Sequence, residues 1–483
     1  MDVAGVISML RREFPYEPTP GQDRLLGELA VFLTISWKQQ NALFILRGYA
    51  GTGKTTVVQS LVNVLPLLGK KTVLMAPTGR AAKVLSGYTK KQAHTIHRKI
   101  YLARTNKEGL LDLKLQVNYH KHTLFIVDEA SMIQHTMATE ASLFATRNVL
   151  DDLFQFVYSG ENCRMLFIGD AAQLPPVGLD HSPALDTAFL TRAYHLSIDS
   201  SELTEVVRQA SKSGILNNAT RVRQKLLEEK LSFPLFSLEG FRDVCRLSGQ
   251  DLEEALNQAY AGSGKDNNVI ICRSNKRANI YNREIRKRIL YLDEEISTGD
   301  YLMVVKNNYF WLPPDSAAGF VANGDILELT RIRKIEELYG FRFAEVTIRF
   351  LDYPDEKPLD VIIILDTLMT ESAALTQADN NRLFQTVLAD YQDLRSKRAR
   401  MEKVKESPYF NALQVKFAYA LTCHKTQGGQ WDTVFIDQGY LNDKMINSEF
   451  GRWLYTAVTR ATKKLYLINF EDRFFEHLTT QAG

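Results

Sequence analysis

Apolar residues fall along this chain in short runs set apart by helical patterns. Ala42 to Leu46, Thr72 to Ala76, Leu124 to Val127 and Met165 to Ile168 have the continuous hydrophobicity of strands buried on both faces of a parallel sheet. A second series follows at Val269 to Cys272, Phe417 to Leu421, Thr433 to Ile436 and Leu465 to Ile468. Two stretches interrupt the alternation. Between Tyr101 and Lys121, the polar turn Thr105 to Gly109 precedes the alternating Leu111 to Val117, which predicts a small hairpin. Between Asp325 and Asn411, strand-like Ile326 to Leu329, Ala344 to Phe350 and Asp360 to Leu365 precede a helical run. In that run Leu383, Phe384, Val387, Leu388, Tyr391 and Leu394 share one face, and Lys397 to Arg400 closes the segment in basic residues. Those residues read equally as a solvated helix terminus or as a nucleic-acid contact.

The expected fold class is therefore α/β: two lobes built on parallel sheets, a β-hairpin inserted in the first, and a small β-barrel with a helical arm inserted in the second. The expected boundaries are 1–200 for the first lobe with its hairpin at about 101–121, 201–324 and 412–483 for the second, and 325–411 for the insertion.

Composition narrows this little. The 483 residues are 45% hydrophobic and 24% charged, ordinary globular material for about three domains. A net charge of +3 means that any contact with nucleic acid comes from a local basic stripe. Cys163, Cys245, Cys272 and Cys423 lie far apart, which disfavours a zinc site or a disulfide scaffold and suits a reducing cytoplasm. No stretch approaches the roughly 20 apolar residues of a membrane span, so no membrane association and a cytoplasmic location are expected.

Chemistry enters at Gly48-Tyr-Ala-Gly-Thr-Gly-Lys54-Thr55, directly after the first apolar run. Gly48, Gly51, Thr52 and Gly53 let backbone N–H groups curl round a phosphate chain, and Lys54 places a point charge on its outer phosphates. The Thr55 hydroxyl joins the shell of a Mg²⁺ ion, and Thr56 continues the helix start. A glycine-rich surface turn is the competing reading; the strand before and the helix expected from Thr55 to Leu65 weigh against it. At the end of the Leu124 run, Asp128 suits the metal shell and Glu129 a water-polarising base, unless the pair merely caps a following helix. Gln173 in Gly169 to Pro176 is placed to sense a terminal phosphate, with a plain proline turn as the alternative. Arg208 and Arg460, each late in a lobe, are candidates to neutralise charge on a transferring phosphoryl group when the cleft closes; singly, each reads as a surface ion-pair residue.

In their order these residues resemble a superfamily-one helicase of the B type, closest to the RecD and Dda group. The resemblance extends over nearly the whole chain. It is carried by Gln22 in Thr19-Pro-Gly-Gln22, the phosphate loop, Ala76 to Ala82, Ala93 to His97, the Asp128-Glu129 and Gln173 motifs, and Arg208. It continues through Asn275 to Asn282, Asn323-Gly-Asp325, Tyr419 to Gly428 and Trp453 to Ala461. The family implies two RecA-like lobes with ATP and Mg²⁺ between them, and 5′-to-3′ movement on single-stranded DNA. It also implies a monomer acting at duplex junctions with a 5′ tail, with repair and recombination among the pathways such motors serve.

Residue by residue, the resemblance makes Lys54, Thr55, Asp128 and Glu129 the hydrolytic set, Gln173 the coupler, and Arg208 and Arg460 the fingers. Gln22 reads the adenine, and Gly428 and Gln430 complete the nucleotide contacts. Gln430 stands where relatives commonly carry a glutamate for the ribose. Pro77, Thr78, Thr95, His97, Asn275, Thr422 and His424 line the strand; hydroxyl and imidazole groups bond backbone without selecting sequence. The hairpin corresponds to the strand-separating pin and the barrel to an SH3-like insertion. An RNA or mixed-strand translocase, and a nucleotide-gated loading module that does not unwind, are the alternatives.

Overall fold

The computed structural model describes residues 2–105, 111–135, 148–207, 212–226, 228, 232–313, 316 and 319–476. In the first lobe the strands are β1 (Ala42–Gly48), β2 (Lys71–Ala76), β3 (Ala93–Thr95), β4 (Tyr101–Thr105), β5 (Leu111–Leu115), β6 (Thr123–Val127), β7 (Arg164–Gly169) and β8 (Ser197–Leu203). Six of them form one sheet in the order β3-β2-β6-β7-β1-β8, every neighbouring pair parallel. Burial on both faces shows directly in β1: Phe44 and Leu46 pack with Val57 and Leu61 on one side, Leu43 and Ile45 with Leu153 and Phe167 on the other. β8 reads Ser-Ile-Asp-Ser-Ser-Glu-Leu and escaped the apolar-run criterion because it is an edge strand paired only to β1. β4 and β5 pair antiparallel as the expected hairpin, whose turn at 106–110 lies outside the described residues.

The second lobe begins with β9 (Val244–Leu247) and β10 (Asn268–Cys272). The chain then builds a closed barrel from β11 (Tyr301–Val304), β12 (Ile326–Leu338), β13 (Phe341–Phe350), β14 (Leu359–Ile364) and β15 (Leu413–Phe417). It returns through β16 (Ala420–Thr422), β17 (Trp431–Asp437) and β18 (Ala461–Ile468) to complete a parallel sheet ordered β16-β10-β17-β18-β9. The architecture is thus two lobes, each built on a parallel sheet, with a closed barrel inserted in the second. β11 and β15 lie on either side of the 325–411 stretch, because closing the barrel takes both flanking segments. In β15, Leu413, Val415 and Phe417 enter the core while Gln414 and Lys416 bond outward to the backbone at Leu375, Thr367 and Thr370.

The single strand expected from Phe417 to Leu421 is instead two, and Asn282 is the reason. Its Oδ1 accepts the N–H groups of Tyr419 (3.0 Å) and Ala420 (2.7 Å), and its Nδ2 donates to the carbonyls of Ala420 (2.9 Å) and Phe417 (3.3 Å). One buried amide thus satisfies the backbone where it leaves the barrel for the sheet. Nearby, fully buried Asp300 accepts from Arg286 Nε (2.8 Å) and Nη2 (2.9 Å), the Ser297 N–H (2.7 Å) and the Tyr419 hydroxyl (3.0 Å).

The helical arm also departs from expectation. One helix, Gln377–Ala389, buries Leu383 and Val387 and stops before Tyr391; Lys397 to Arg400 does not close it but opens a second helix, Lys397–Glu406, capped by Ser396. The Ser396 cap restarts the helix, so the basic residues stand at a helix N-terminus.

Barrel and first lobe meet at the turn before β12. Asp325 is 2% exposed; its Oδ2 accepts the Ala322 N–H (2.7 Å), and its Oδ1 has no hydrogen-bond partner among the described residues. Burial, with the charge of Asp352 adding to it, pushes its pKa up to about 8. The folded chain therefore holds this proton more tightly than the unfolded chain. The resulting stabilisation is fully present below the unfolded value near 4 and is lost as pH rises through about 8. Urea unfolding from pH 5 to pH 9 should show wild-type stability falling and Asp325→Asn falling less steeply; equal slopes would refute this.

Candidate nucleotide and strand sites

The candidate nucleotide residues gather at the C-terminal ends of three central strands of the first lobe. The loop 49–53 follows β1, Asp128 and Glu129 follow β6, and Gln173 follows β7. Gly51 (φ 74°) and Gly53 (φ 82°) take the left-handed conformation the loop requires. At Gly53 the left-handed backbone strains any side chain, and a Cβ would sit 2.4 Å from Gln22 Nε2, so Gln22 would have to leave the loop. Gly53 precedes the helix Lys54–Val64, whose N-terminus carries no side-chain cap, so its first N–H groups suit an anionic ligand. Thr55 is exposed and Thr56 half-exposed on its first turn. Thr52 is buried and its hydroxyl bonds the Tyr49 carbonyl (2.8 Å). Lys54 Nζ lies over the loop, donating to the carbonyls of Gly48 (2.5 Å) and Tyr49 (2.9 Å). Gln22 is buried against the same loop: its Nε2 donates to the Thr52 carbonyl (3.1 Å), and its Oε1 closes the capping box with Thr19.

Asp128 accepts from the Tyr88 hydroxyl (2.8 Å) and from the Glu129 N–H (2.8 Å). Burial holds both carboxyls above the usual carboxylate range; Lys54 opposes the rise at both, and Arg460 opposes it at Glu129. Asp128 and exposed Thr55 are the groups present for a divalent cation, oxygen donors of the kind Mg²⁺ takes. Gln173 is 6% exposed, and its Oε1 has no partner among the described residues. Arg460 is buried, with Nε on the Thr456 carbonyl, Nη1 on the Gly429 carbonyl and Nη2 on the Thr459 hydroxyl. Arg208 lies outside the described residues.

The candidate strand residues form a matching pair of edges. Pro77 and Thr78 follow β2 and Thr95 ends β3, with Ala76 and Thr95 in register; in the second lobe Asn275 follows β10 and Thr422 ends β16, with Cys272 and Thr422 in register. Each lobe thus presents its set at the C-terminal end of one sheet edge. Several of these side chains also do local work. Thr78 and Thr95 cap the helices Gly79–Thr89 and Ile96–Ile100, and Asn275 Nδ2 donates to the Glu371 carbonyl (3.0 Å). His97 packs between Tyr101 and Phe320, and burial pushes its pKa down to about 4; His424 is also lowered by burial. The His97 imidazole is therefore neutral at pH 7.

Gly428 lies at the lobe interface, where an added Cβ would fall 2.8 Å from Ala81 and 3.2 Å from the Thr78 hydroxyl. Gln430 is exposed, and its carbonyl accepts from Arg80, whose guanidinium stacks 3.9 Å from the Trp431 ring. Arg80, Asp170 and Tyr455, which lie inside motifs quoted above but were given no role, and Tyr88, which lies outside them, also touch this machinery. Tyr88 and Tyr455 sit in helical patterns where an aromatic reads as core, and nothing local marks their hydroxyls.

Residues 32–233 match the family model described as AAA domain, and residues 417–468 that of the UvrD-like helicase C-terminal domain. The chain is 33% identical over 177 residues to the ATP-dependent RecD2 DNA helicase of Deinococcus radiodurans, covering 37% of this chain and 21% of that protein. It is 25% identical over 465 residues to the ATP-dependent DNA helicase dda of Enterobacteria phage T4, covering 89% of this chain and 95% of that one. Among solved structures, the Pif1 helicase from Bacteroides in complex with ADP-AlF3 and ssDNA aligns with 92% of this chain and 94% of its own at 16% identity and a TM-score of 0.45. Among the described residues, no helix is long and apolar enough to cross a membrane.

Proposed function

We infer that this chain is an ATP-dependent DNA helicase of the superfamily-one RecD/Dda-like group, and we propose that it moves 5′ to 3′ on single-stranded DNA. The observation that carries the reading is positional. The nucleotide candidates occupy the ends of β1, β6 and β7, while the strand candidates occupy the ends of β2 and β3 in one lobe and β10 and β16 in the other. A strand laid across both edges is gripped by two bodies whose separation the cleft controls.

In this proposal the loop N–H groups and Lys54 bind the phosphates of ATP, and Thr55 and Asp128 hold Mg²⁺. The bound ion would neutralise charge on the transferring group. Glu129, its proton affinity raised by burial, takes a proton from the attacking water, and the unpartnered Gln173 carbonyl orients that water. Gln22 and Gln430 serve the base and sugar, and Gly428 lets the second lobe close on Thr78. Arg460 and Arg208 answer the developing charge as the lobes close. Alternating closure and opening then moves the grip from one lobe to the other. The hairpin β4–β5 is the proposed wedge; the proposed working units stay close to 1–200, 201–324 with 412–483, and 325–411, with β8 carrying the first lobe to Leu203 and β11 and β15 joining the inserted stretch as part of the barrel. We place the protein in the cytoplasm as a monomer.

The test is ATP-driven strand separation on matched duplexes with a 5′ tail, a 3′ tail or none, with Lys54→Ala as the blank. Opening of only the 5′-tailed duplex is expected. Opening from the 3′ tail would reverse the direction while keeping the motor. ATP turnover without opening would favour a loading module, and equal stimulation by RNA a mixed-strand translocase.

A further inference from the structure

The helix Ser448–Val458 of the second lobe lays three polar side chains, spaced so as to share one face, on two loops of the first. Arg452 Nη1 donates to the Ala171 carbonyl (2.5 Å), and the Thr456 hydroxyl accepts the Leu174 N–H (2.8 Å). Tyr455 lies between them. Its hydroxyl accepts the Ala50 N–H of the phosphate loop (2.9 Å) and donates to Asp170 Oδ2 (2.7 Å). Gln427 Nε2 adds a bond to the Leu174 carbonyl (2.7 Å). Tyr455 is 1% exposed and Asp170 2%. Asp170 also orders its own loop, its Oδ1 accepting the Ala172 N–H (2.9 Å) and its carbonyl the Gln173 N–H (3.3 Å).

A hydroxyl has one proton to give and lone pairs to receive, so Tyr455 satisfies both buried groups at once. Burial and the neighbouring Asp170 charge hold the phenol well above its usual range, and it keeps that proton throughout the working pH. Among the described residues it is the second-lobe side chain shown bonded to both the phosphate loop and the Gln173 segment. Parting the lobes breaks both bonds together with those of Arg452, Thr456 and Gln427. Such a contact has two discrete states rather than a graded response.

We propose that Tyr455 is a positioning residue that ties nucleotide turnover to lobe closure, by holding the phosphate loop and the Gln173 segment in one arrangement while the second lobe is docked. This rests on the ATP-driven helicase reading. No step of it places Tyr455 on the nucleotide; it acts through Ala50 and Asp170.

The experiment compares wild type, Tyr455→Phe, Asp170→Asn and the double variant in ATP turnover at saturating single-stranded DNA, base pairs opened per ATP, and melting temperature. Each single variant is expected to lose about tenfold or more in kcat, with KM for ATP moving less than about threefold and fewer base pairs opened per ATP. The double variant is expected to be no worse than the poorer single, as for two ends of one linkage. Wild-type kcat and wild-type base pairs per ATP in Tyr455→Phe, whatever its melting temperature, would overturn the proposal, as would additive losses in the double variant. If the Phe variant does not fold, Asp170→Asn, which keeps the acceptor for the Ala172 N–H, decides by the same two readouts. A wild type whose ATP turnover ignores DNA would instead sink the helicase reading, so the two failures are separable.

Discussion

Lys54→Ala is expected to lower DNA-stimulated ATP turnover by on the order of 10³-fold, with the fold intact. Two effects act in the same direction. The ammonium, held over the loop by the Gly48 and Tyr49 carbonyls, is the loop's own cation for the outer phosphates of ATP. It is also close enough to Asp128 and Glu129 to lower the pKa of both buried carboxyls. Without it, both rise further, so the deprotonated forms that bind the ion and take the proton appear only at higher pH. The optimum of the residual activity should therefore move to higher pH as well. Steady-state turnover from pH 6 to pH 9 checks both parts; a tenfold loss with an unmoved profile would show that Lys54 is peripheral.

The largest stability effect is expected at Asp300, far from the nucleotide. Its carboxylate is fully buried and takes four donors, two of them from Arg286, whose side chain is 7% exposed. Asp300→Ala leaves that guanidinium buried without its counter-charge, which costs about 3–5 kcal/mol. The network also holds the Tyr419 hydroxyl, which in turn accepts the Tyr301 N–H at the start of β11. The damage should thus reach the seam between barrel and sheet. Urea unfolding should show the loss, and replacing Arg286 and Asp300 together by Met and Leu should restore much of it. A destabilisation under about 1 kcal/mol for Asp300→Ala would mean that the pair is solvated.

Some of this was legible in the chain because it is local. A strand buried on both faces announces itself by a run of apolar residues, so β1, β2, β6, β7, β10, β17 and β18 could be read from those runs alone. The closed barrel was legible as a class but not in extent. Its first and last strands, Tyr301–Val304 and Leu413–Phe417, are joined by pairing across more than a hundred residues of sequence, and no short window contains that pairing. Edge strands such as Ser197–Leu203 stayed hidden because an edge tolerates polar side chains. The basic cluster at Lys397 was assigned to the wrong end of a helix because the deciding residue, Ser396, acts through a single cap.

By itself, then, the sequence determined the local chemistry: the left-handed glycines and Lys54 between a strand and a helix, the acidic pair at a strand end, and the ordered series of motifs that carries the family. Those depend on periodicity and on spacings of a few residues, which a chain keeps whatever its surroundings. The tertiary structure alone decided how the lobes are joined. The bond from Ala50 to Tyr455 links residues 405 apart, and that from Asp170 to Tyr455 links residues 285 apart. Asn282 holds a chain crossing 137 and 138 positions away. No local pattern marks such partners, because a buried hydroxyl or amide is selected by the one geometry in which its donors and acceptors are all met, and that geometry exists only after the lobes have packed.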